Sequence, residues 1–153
     1  MLLKSFITYL THEKRCSQHT VIAYQKDLSQ FELYIQADLS INILEVKHSH
    51  LRNYMVHLMD ENHSESTINR KISALRSFYK FLHRSEKIDQ NPALLIKAPK
   101  IPKRLPVFVD DQKLSLLLDS ENYFNDSFES VRHLLVIVLL FGTGMRLGEF
   151  MNL

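Results

Sequence analysis

The 153 residues, 45% hydrophobic and 24% charged, supply enough apolar matter for a packed core, which excludes a disordered tail. Three glycines and no recurring apolar–polar alternation exclude a β-sandwich or barrel; helical spacing recurs instead, and the fold class is read as all-α. The net charge of +2 conceals a division into +6 over residues 1–104 and −4 over residues 105–153, and residues 66–104 alone carry +8, where a polyanionic partner would be drawn.

The first ten residues mix Lys4, Ser5 and Thr8 among apolar side chains and lack a small-residue cleavage site, so they do not read as a signal peptide. Leu3, Phe6, Ile7 and Leu10 form the apolar stripe of a first helix. Cys16 is the single cysteine and can form no internal disulfide, which makes a reducing, cytoplasmic location the default. Ser17 is the N-cap expected for a second helix with the stripe Val21, Tyr24, Leu28, Phe31 and Ile35. Ser49 is expected to cap a third, carrying Leu51, Tyr54, Met55, Leu58 and Met59, and Ser64 or Ser66 a fourth that runs to about His83. Four amphipathic helices must hide their stripes against one another, which predicts a compact bundle.

The fourth helix is the most informative element. At 100° per residue, with Ile72 at zero, Ile68, Leu75, Tyr79 and Leu82 fall within roughly −80° to −20° and form a buried face. Asn69, Arg70, Ser73, Arg76, Ser77, Lys80 and Arg84 fall within roughly 40° to 160°, on the opposite side. No acid interrupts that face. Cations there can neutralise phosphates, and Asn and Arg can make paired hydrogen bonds to purine edges in a major groove. A merely solvated face is the competing reading, although such a face usually mixes Glu among its Lys.

All four prolines, Pro92, Pro99, Pro102 and Pro106, lie within residues 91–107, interleaved with Lys97, Lys100, Lys103 and Arg104. This pattern predicts an extended basic linker, residues 97–106, between a helical domain of residues 1–96 and a second segment, residues 107–153. In that segment Asp110 or Asp111 is expected to cap a short helix through Leu118, and an Asn/Asp cluster then makes a loop. Residues 131–141 are apolar nearly all round, as in a helix buried inside something larger. The expectation is the opening of a domain that the chain does not complete, or a helix covered by a partner chain. Its longest apolar run, residues 134–141, has eight members against roughly 20 for a membrane span, so no membrane partner is expected.

The apolar helix ends in Phe141, Gly142, Thr143, Gly144, Met145, Arg146, Leu147, Gly148 and Glu149. Gly142 and Gly144 can end a helix and turn the chain, presenting Arg146 near the start of another. An arginine held there can grip a phosphate bidentately, with Glu149 to steady it. By spacing alone, a structural helix–turn–helix corner accounts for the same residues.

Residues 139–153, LLFGTGMRLGEFMNL, resemble the first-arginine motif of tyrosine recombinases, particularly the Xer-type and phage-integrase branch. The upstream pattern agrees: Ser17, Thr20, Ala23, Tyr24, Asp27, Leu28 and Phe31 resemble that family's second helix. Ser66, Thr67, Ile68, Ser73, Ala74, Leu75, Arg76, Phe78 and Tyr79 resemble its fourth, and Asn91, Pro92, Ala93, Leu105 and Pro106 its interdomain segment. Gly148 stands where the family more often has Ser, and Phe150 where Leu is usual; a glycine inside the new helix weakens it slightly.

The resemblance implies a four-helix, SAM-like core-binding bundle, a linker and the first helices of a catalytic domain. It implies a site-specific recombinase that cuts one strand with a tyrosine hydroxyl, forms a 3′-phosphotyrosyl bond and rejoins it to another strand, with no ATP or metal and therefore no cofactor. Arg146 matches the arginine that neutralises the scissile phosphate. The family's lysine, histidine, second arginine and nucleophilic tyrosine lie C-terminal to that motif. Tyr9, Tyr24, Tyr34, Tyr54, Tyr79 and Tyr123 all precede it, so this chain alone is expected to bind DNA without recombining it.

On this reading helices two and four face double-stranded DNA. The contacts expected are Asn69, Arg70, Ser73, Arg76, Ser77, Lys80 and Arg84, with Lys100, Lys103 and Arg104 on phosphates and Gln18, Gln25 and Lys26 as further members. Self-association with other recombinase subunits on DNA is implied as well. Two alternatives remain at the level of sequence: a non-enzymatic helical DNA-binding regulator that covers its apolar helix by dimerising, and a protein-interaction module whose basic face binds an acidic partner. His48 with His50, or His12 with Cys16 and His19, lack a second ligand pair, so no metal site is assigned.

Overall fold

The structure, a computed structural model, describes residues 2–102, 105, 108, 110–118, 124 and 127–153, apart from the side chains of Asp38, Leu39 and Asp111. The described elements are helices, and no strand occurs among the described residues. The chain divides into two compact units, Met1–Lys103 and Arg104–Leu153.

In the first unit α1 spans Leu2–Thr8 and runs into a π-helical turn, Tyr9–Glu13, that the stripe of apolar residues does not announce. Leu10, four residues on from Phe6, is fully buried with it in the core. Helix α2, Gln18–Leu39, starts as expected: the Ser17 hydroxyl accepts the Thr20 N–H at 3.3 Å. Helix α4, Glu65–Arg84, is capped in the same way by Ser64, which accepts the Thr67 N–H at 3.3 Å. Helix α3, His48–Asp60, differs from expectation, because Lys47 rather than Ser49 occupies its N-cap. The Lys47 N–H donates to Nδ1 of His50 at 3.1 Å, so a histidine in the first turn replaces the serine hydroxyl as the capping acceptor.

The core follows from these stripes. Leu28, Phe31 and Ile35 of α2, Leu51, Tyr54 and Leu58 of α3 and Ile68, Ile72, Leu75, Tyr79 and Leu82 of α4 are buried together. Phe6 meets the Phe78 ring edge-on at 5.3 Å. The Tyr79 hydroxyl donates to the Ile43 carbonyl at 3.1 Å, which satisfies a buried polar atom and ties the α2–α3 loop to α4. The buried arc of α4 is wider than the sequence wheel predicts, since Lys71, Ala74 and Phe78 also face inward. The helix packs against both α2 and α3, so two neighbours cover it rather than one.

With no glycine before residue 142, the helices of this unit end without one. Arg15, Ser40, Asn62 and Glu86 take positive φ of 50°, 50°, 58° and 53° at those ends. After α3 and α4 the His63 N–H returns to the Leu58 carbonyl at 3.1 Å and the Lys87 N–H to the Leu82 carbonyl at 3.0 Å. These are the closing bonds of Schellman turns, which oblige the intervening residue to be left-handed.

The second unit contains α5, Asp111–Leu118, α6, Phe128–Thr143, and α7, Leu147–Phe150. Asp110 starts α5, its carboxylate accepting the Gln112 N–H at 2.9 Å. Ser127 caps α6 by accepting the Ser130 N–H at 3.3 Å, and Gly144, at φ 65°, ends it. Gly142, by contrast, lies inside the last turn of α6. No residue of α6 is buried, and Val131, Leu135, Val138 and Phe141 stand exposed, although the helix is apolar nearly all round. The apolar surface is open because no described element packs over it. Among the described residues no helix is long and apolar enough to cross a membrane.

Candidate nucleic-acid interface

Helix α4 carries its only acid, Glu65, in the first turn, where a carboxylate favours the positive end of the helix dipole. The remaining exposed face is basic and hydroxylic, but its side chains are not equivalent.

Arg70 donates through Nη1 to Oδ2 of Asp27 on α2, and the Asp27 side chain is 2% exposed. Lys71 closes the other side of the same carboxylate, Nζ lying 3.5 Å from Oδ1, and donates to Oε1 of Gln30. The outcome is a buried anion held between two cations, joining α2 to α4. By spacing alone Arg70 belongs to the interface and Lys71 has no assigned role. A lysine in a mixed stretch gives no sign of burial unless its partner Asp27, one helix away, is considered with it.

Asn69 is half-buried; Nδ2 donates to the Pro99 carbonyl at 2.9 Å, and Oδ1 is buried without a hydrogen-bond partner among the described residues. Arg76 donates to the Ile96 carbonyl. Arg84 pairs with Glu13 at 3.0 Å and covers the Tyr9 ring at 4.7 Å, yet its side chain remains 59% exposed. The Ser73 hydroxyl donates back to the Asn69 carbonyl at 2.8 Å. Ser77 is half-buried, and Lys80 is exposed with no ion-pair partner within 4.0 Å among the described residues.

On α2, Gln18, Gln25 and Lys26 are exposed. Lys100 is exposed beside Pro99, in a groove lined also by Ser64, Glu65 and Ile68. Lys103 and Arg104 lie outside the described residues. Ser73, Arg76, Ser77, Lys80 and Arg84 thus share one side of α4, whereas Lys100 lies near the start of the helix beside Glu65, Asn69 is turned onto the Pro99 carbonyl and Arg70 toward Asp27.

In the second unit Arg146 is the N-cap residue of α7. Its N–H donates to Oε2 of Glu149 at 2.8 Å and its guanidinium Nη1 to Oε1 at 3.2 Å, so one carboxylate fixes both the backbone and the side chain of the arginine. The side chain is otherwise 87% exposed, leaving most of its donors available to an anion.

The phenols of Tyr24, Tyr54 and Tyr79 are all held above their ordinary 10.0, in each case chiefly by burial; for Tyr24 the nearby Cys16 and Asp27 add to it and Arg70 opposes it. His50 caps α3 and His48 Nδ1 lies 3.3 Å from the Pro92 carbonyl. Among the described residues no group of three His, Cys, Asp or Glu side chains is placed to hold a metal ion.

Residues 3–86 match the family model described as the phage integrase N-terminal SAM-like domain. Over 152 residues the chain is 36% identical to the tyrosine recombinase XerC of Natranaerobius thermophilus, covering 99% of this chain and 50% of that protein. It is 34% identical over 147 residues to the XerC of Bacillus subtilis, covering 96% and 48% respectively. For the XerC of Myxococcus xanthus the identity is 32% over 152 residues, covering 99% and 50%. The chain spans about half the length of the curated relatives it matches.

Proposed function

From the premise that this chain belongs to the phage integrase family of tyrosine recombinases, we propose that it is the DNA-binding portion of a site-specific recombinase. In that role residues 1–96 form the core-binding domain, 97–106 the basic linker and 107–153 the first part of the catalytic domain. The observation that carries the reading is the α4 face, where exposed Lys80 and Arg84 stand with Ser73 and Ser77 and no acid follows Glu65. Such a surface suits phosphates through its cations and base edges through its hydroxyls.

Ser73, Arg76, Ser77, Lys80, Arg84 and Lys100 are the residues proposed to meet double-stranded DNA, with Lys103 and Arg104 completing the linker's charge. Arg70 contributes the N–H groups not engaged by Asp27. Arg146 is proposed as the family's first catalytic arginine, its guanidinium set by Glu149 to neutralise a scissile phosphate as charge builds on it. The strand exchange that follows, through a 3′-phosphotyrosyl bond, needs a tyrosine C-terminal to Arg146, and no tyrosine of this sequence is. Assembly with further recombinase subunits on DNA, and a cytoplasmic location, follow from the same reading.

The test is a fluorescence-anisotropy titration of the chain against duplex oligonucleotides over a range of salt. Binding whose log affinity falls linearly with log salt, with a slope of several units, is the expected result, since each neutralised phosphate contributes about 0.9. A folded preparation with no affinity for any duplex in dilute buffer would overturn the proposal.

A further inference from the structure

The segment after α4 does not behave as a free linker. Ala93 is 1% and Ile96 5% exposed, both within the core, and Ala98 packs against it. Leu95, Ile96 and Lys97 share one groove with His48, Arg52 and Met55 of α3, and Pro99 and Lys100 share the next with Met59 of α3 and Ile68 of α4. The segment therefore runs back between α3 and α4, toward the start of α4.

Two side chains of α4 hold it there. Arg76 takes the Ile96 carbonyl and Asn69 the Pro99 carbonyl at 2.9 Å. The spacing is commensurate: from Asn69 to Arg76 the helix rises about 10 Å at 1.5 Å per residue, and from Ile96 to Pro99 an extended chain covers about 10 Å at 3.3 Å per residue. An extended segment laid antiparallel to α4 meets both donors without stretching. Pro99 has no N–H, so its carbonyl is the only hydrogen-bonding group that residue offers.

We infer that Asn69 and Arg76 are clasp residues: they pin residues 93–100 onto α4 as a fixed strap and so set Lys97 and Lys100 beside the basic face. The inference rests on the proposed DNA-binding reading for what the strap is for, though not for its existence. It also changes the role of Asn69. An asparagine reads adenine by donating through Nδ2 and accepting through Oδ1 together, but here Nδ2 is engaged and Oδ1 is sealed from solvent. Asn69 acts on DNA by positioning the strap, not by touching a base.

Trypsin tests the clasp in the full chain, because the Lys97–Ala98 and Lys100–Ile101 bonds become substrates only when the strap lifts and extends into the protease. Asn69→Leu keeps the volume of the side chain and removes its donor; Arg76→Met keeps the stem and removes the guanidinium. Each is expected to speed cleavage at these two bonds about tenfold, the factor for one lost hydrogen bond, while bonds inside α2 and α4 stay uncut. Arg76→Lys, which retains a donor, should restore much of the protection. Arg76 is exposed, so that variant decides the matter even if Asn69→Leu fails to fold.

A panel of duplexes altered one base pair at a time supplies the second readout. Asn69→Leu should weaken binding by a similar factor on every duplex. Unchanged cleavage in both variants, or loss of discrimination at one base pair with the strap still protected, would overturn the inference. If the unaltered chain binds no duplex, the DNA reading fails by itself and trypsin still decides on the clasp.

Discussion

Arg70 of α4 donates to Oδ2 of Asp27 on α2, and Lys71, beside it in sequence, approaches Oδ1 of the same carboxylate at 3.5 Å. Two consecutive cations thus converge on one anion. Side-chain exposures of 42% for Arg70, 5% for Lys71 and 2% for Asp27 leave the Lys71 and Asp27 charges out of water, while Arg70, which makes the hydrogen bond, still reaches it.

Replacing Asp27 with Asn leaves the Lys71 ammonium buried without its counter-charge. Removing one member of a buried pair costs about 3–5 kcal/mol, so Asp27→Asn should lower the urea midpoint of the first unit sharply. Asp27→Asn combined with Lys71→Met removes both buried charges and should recover a large part of the loss. A double variant as unstable as the single one would mean that the carboxylate serves Arg70 rather than Lys71.

Much of this fold is legible in the sequence because it depends on local periodicity. The stripe of Leu28, Phe31 and Ile35 and the caps Ser17 and Ser64 are where residue spacing puts them. What spacing does not carry is the identity of neighbours. Lys71, Ala74 and Phe78 are inward because a second helix covers their side of α4, and the α3 cap moves to Lys47 because His50 supplies the acceptor. The partners of Asn69 and Arg76 are backbone carbonyls, which have no sequence signature, so both residues read as base-facing until the strap is seen. Arg146 and Glu149, three residues apart, are legible for the opposite reason, since their contact is local.

The left-handed helix ends offer a route to higher stability. Glu86 holds φ 53° immediately after the α4 cap and puts a negative charge at the negative end of that helix. Glycine takes this conformation without steric cost, and removing the carboxylate relieves the unfavourable dipole contact. After the extra chain entropy of glycine in the unfolded state is set against these, Glu86→Gly should gain about 0.5–1 kcal/mol in a urea titration. A loss of stability would indicate that the Glu86 side chain makes a favourable contact.

Tyr54 and Tyr79 make the fold sensitive to alkali. Burial holds both phenols well above the ordinary 10.0, with the Asp27 charge a second, smaller cause for Tyr54. A group whose pKa is raised on folding contributes stability that is complete below its unfolded value and is lost as pH rises beyond it, because the unfolded chain releases the proton first. Above about pH 10 each tyrosine should therefore remove about 1.4 kcal/mol per pH unit. Absorbance at 295 nm should show the two phenolates appearing together with the loss of helical circular dichroism, and Tyr79→Phe should make the decline shallower. Full ionisation of both in an intact fold would contradict the burial argument.

Lys80 and Arg84 separate charge from structure on the proposed DNA face. Lys80 has no ion-pair partner among the described residues, so Lys80→Gln removes a phosphate contact and little else. The log affinity against log salt should flatten by about 0.9 with the melting temperature unchanged. Arg84 is also bound to Glu13 and stacked over Tyr9, tying the end of α4 to the π-helical turn. Exposed pairs of this kind contribute up to about 1 kcal/mol, so Arg84→Gln should flatten the slope by a similar amount and lower stability slightly as well. Arg76 gives one N–H to the Ile96 carbonyl and keeps the rest of its fork, so its charge counts in the field around the helix whichever group it touches. Changing Arg76, Lys80 and Arg84 together to Gln should therefore weaken duplex binding strongly and remove between two and three units of slope. Unchanged affinity in a folded triple variant would remove α4 from the interface and leave α2, with Gln18, Gln25 and Lys26, as the face to test next.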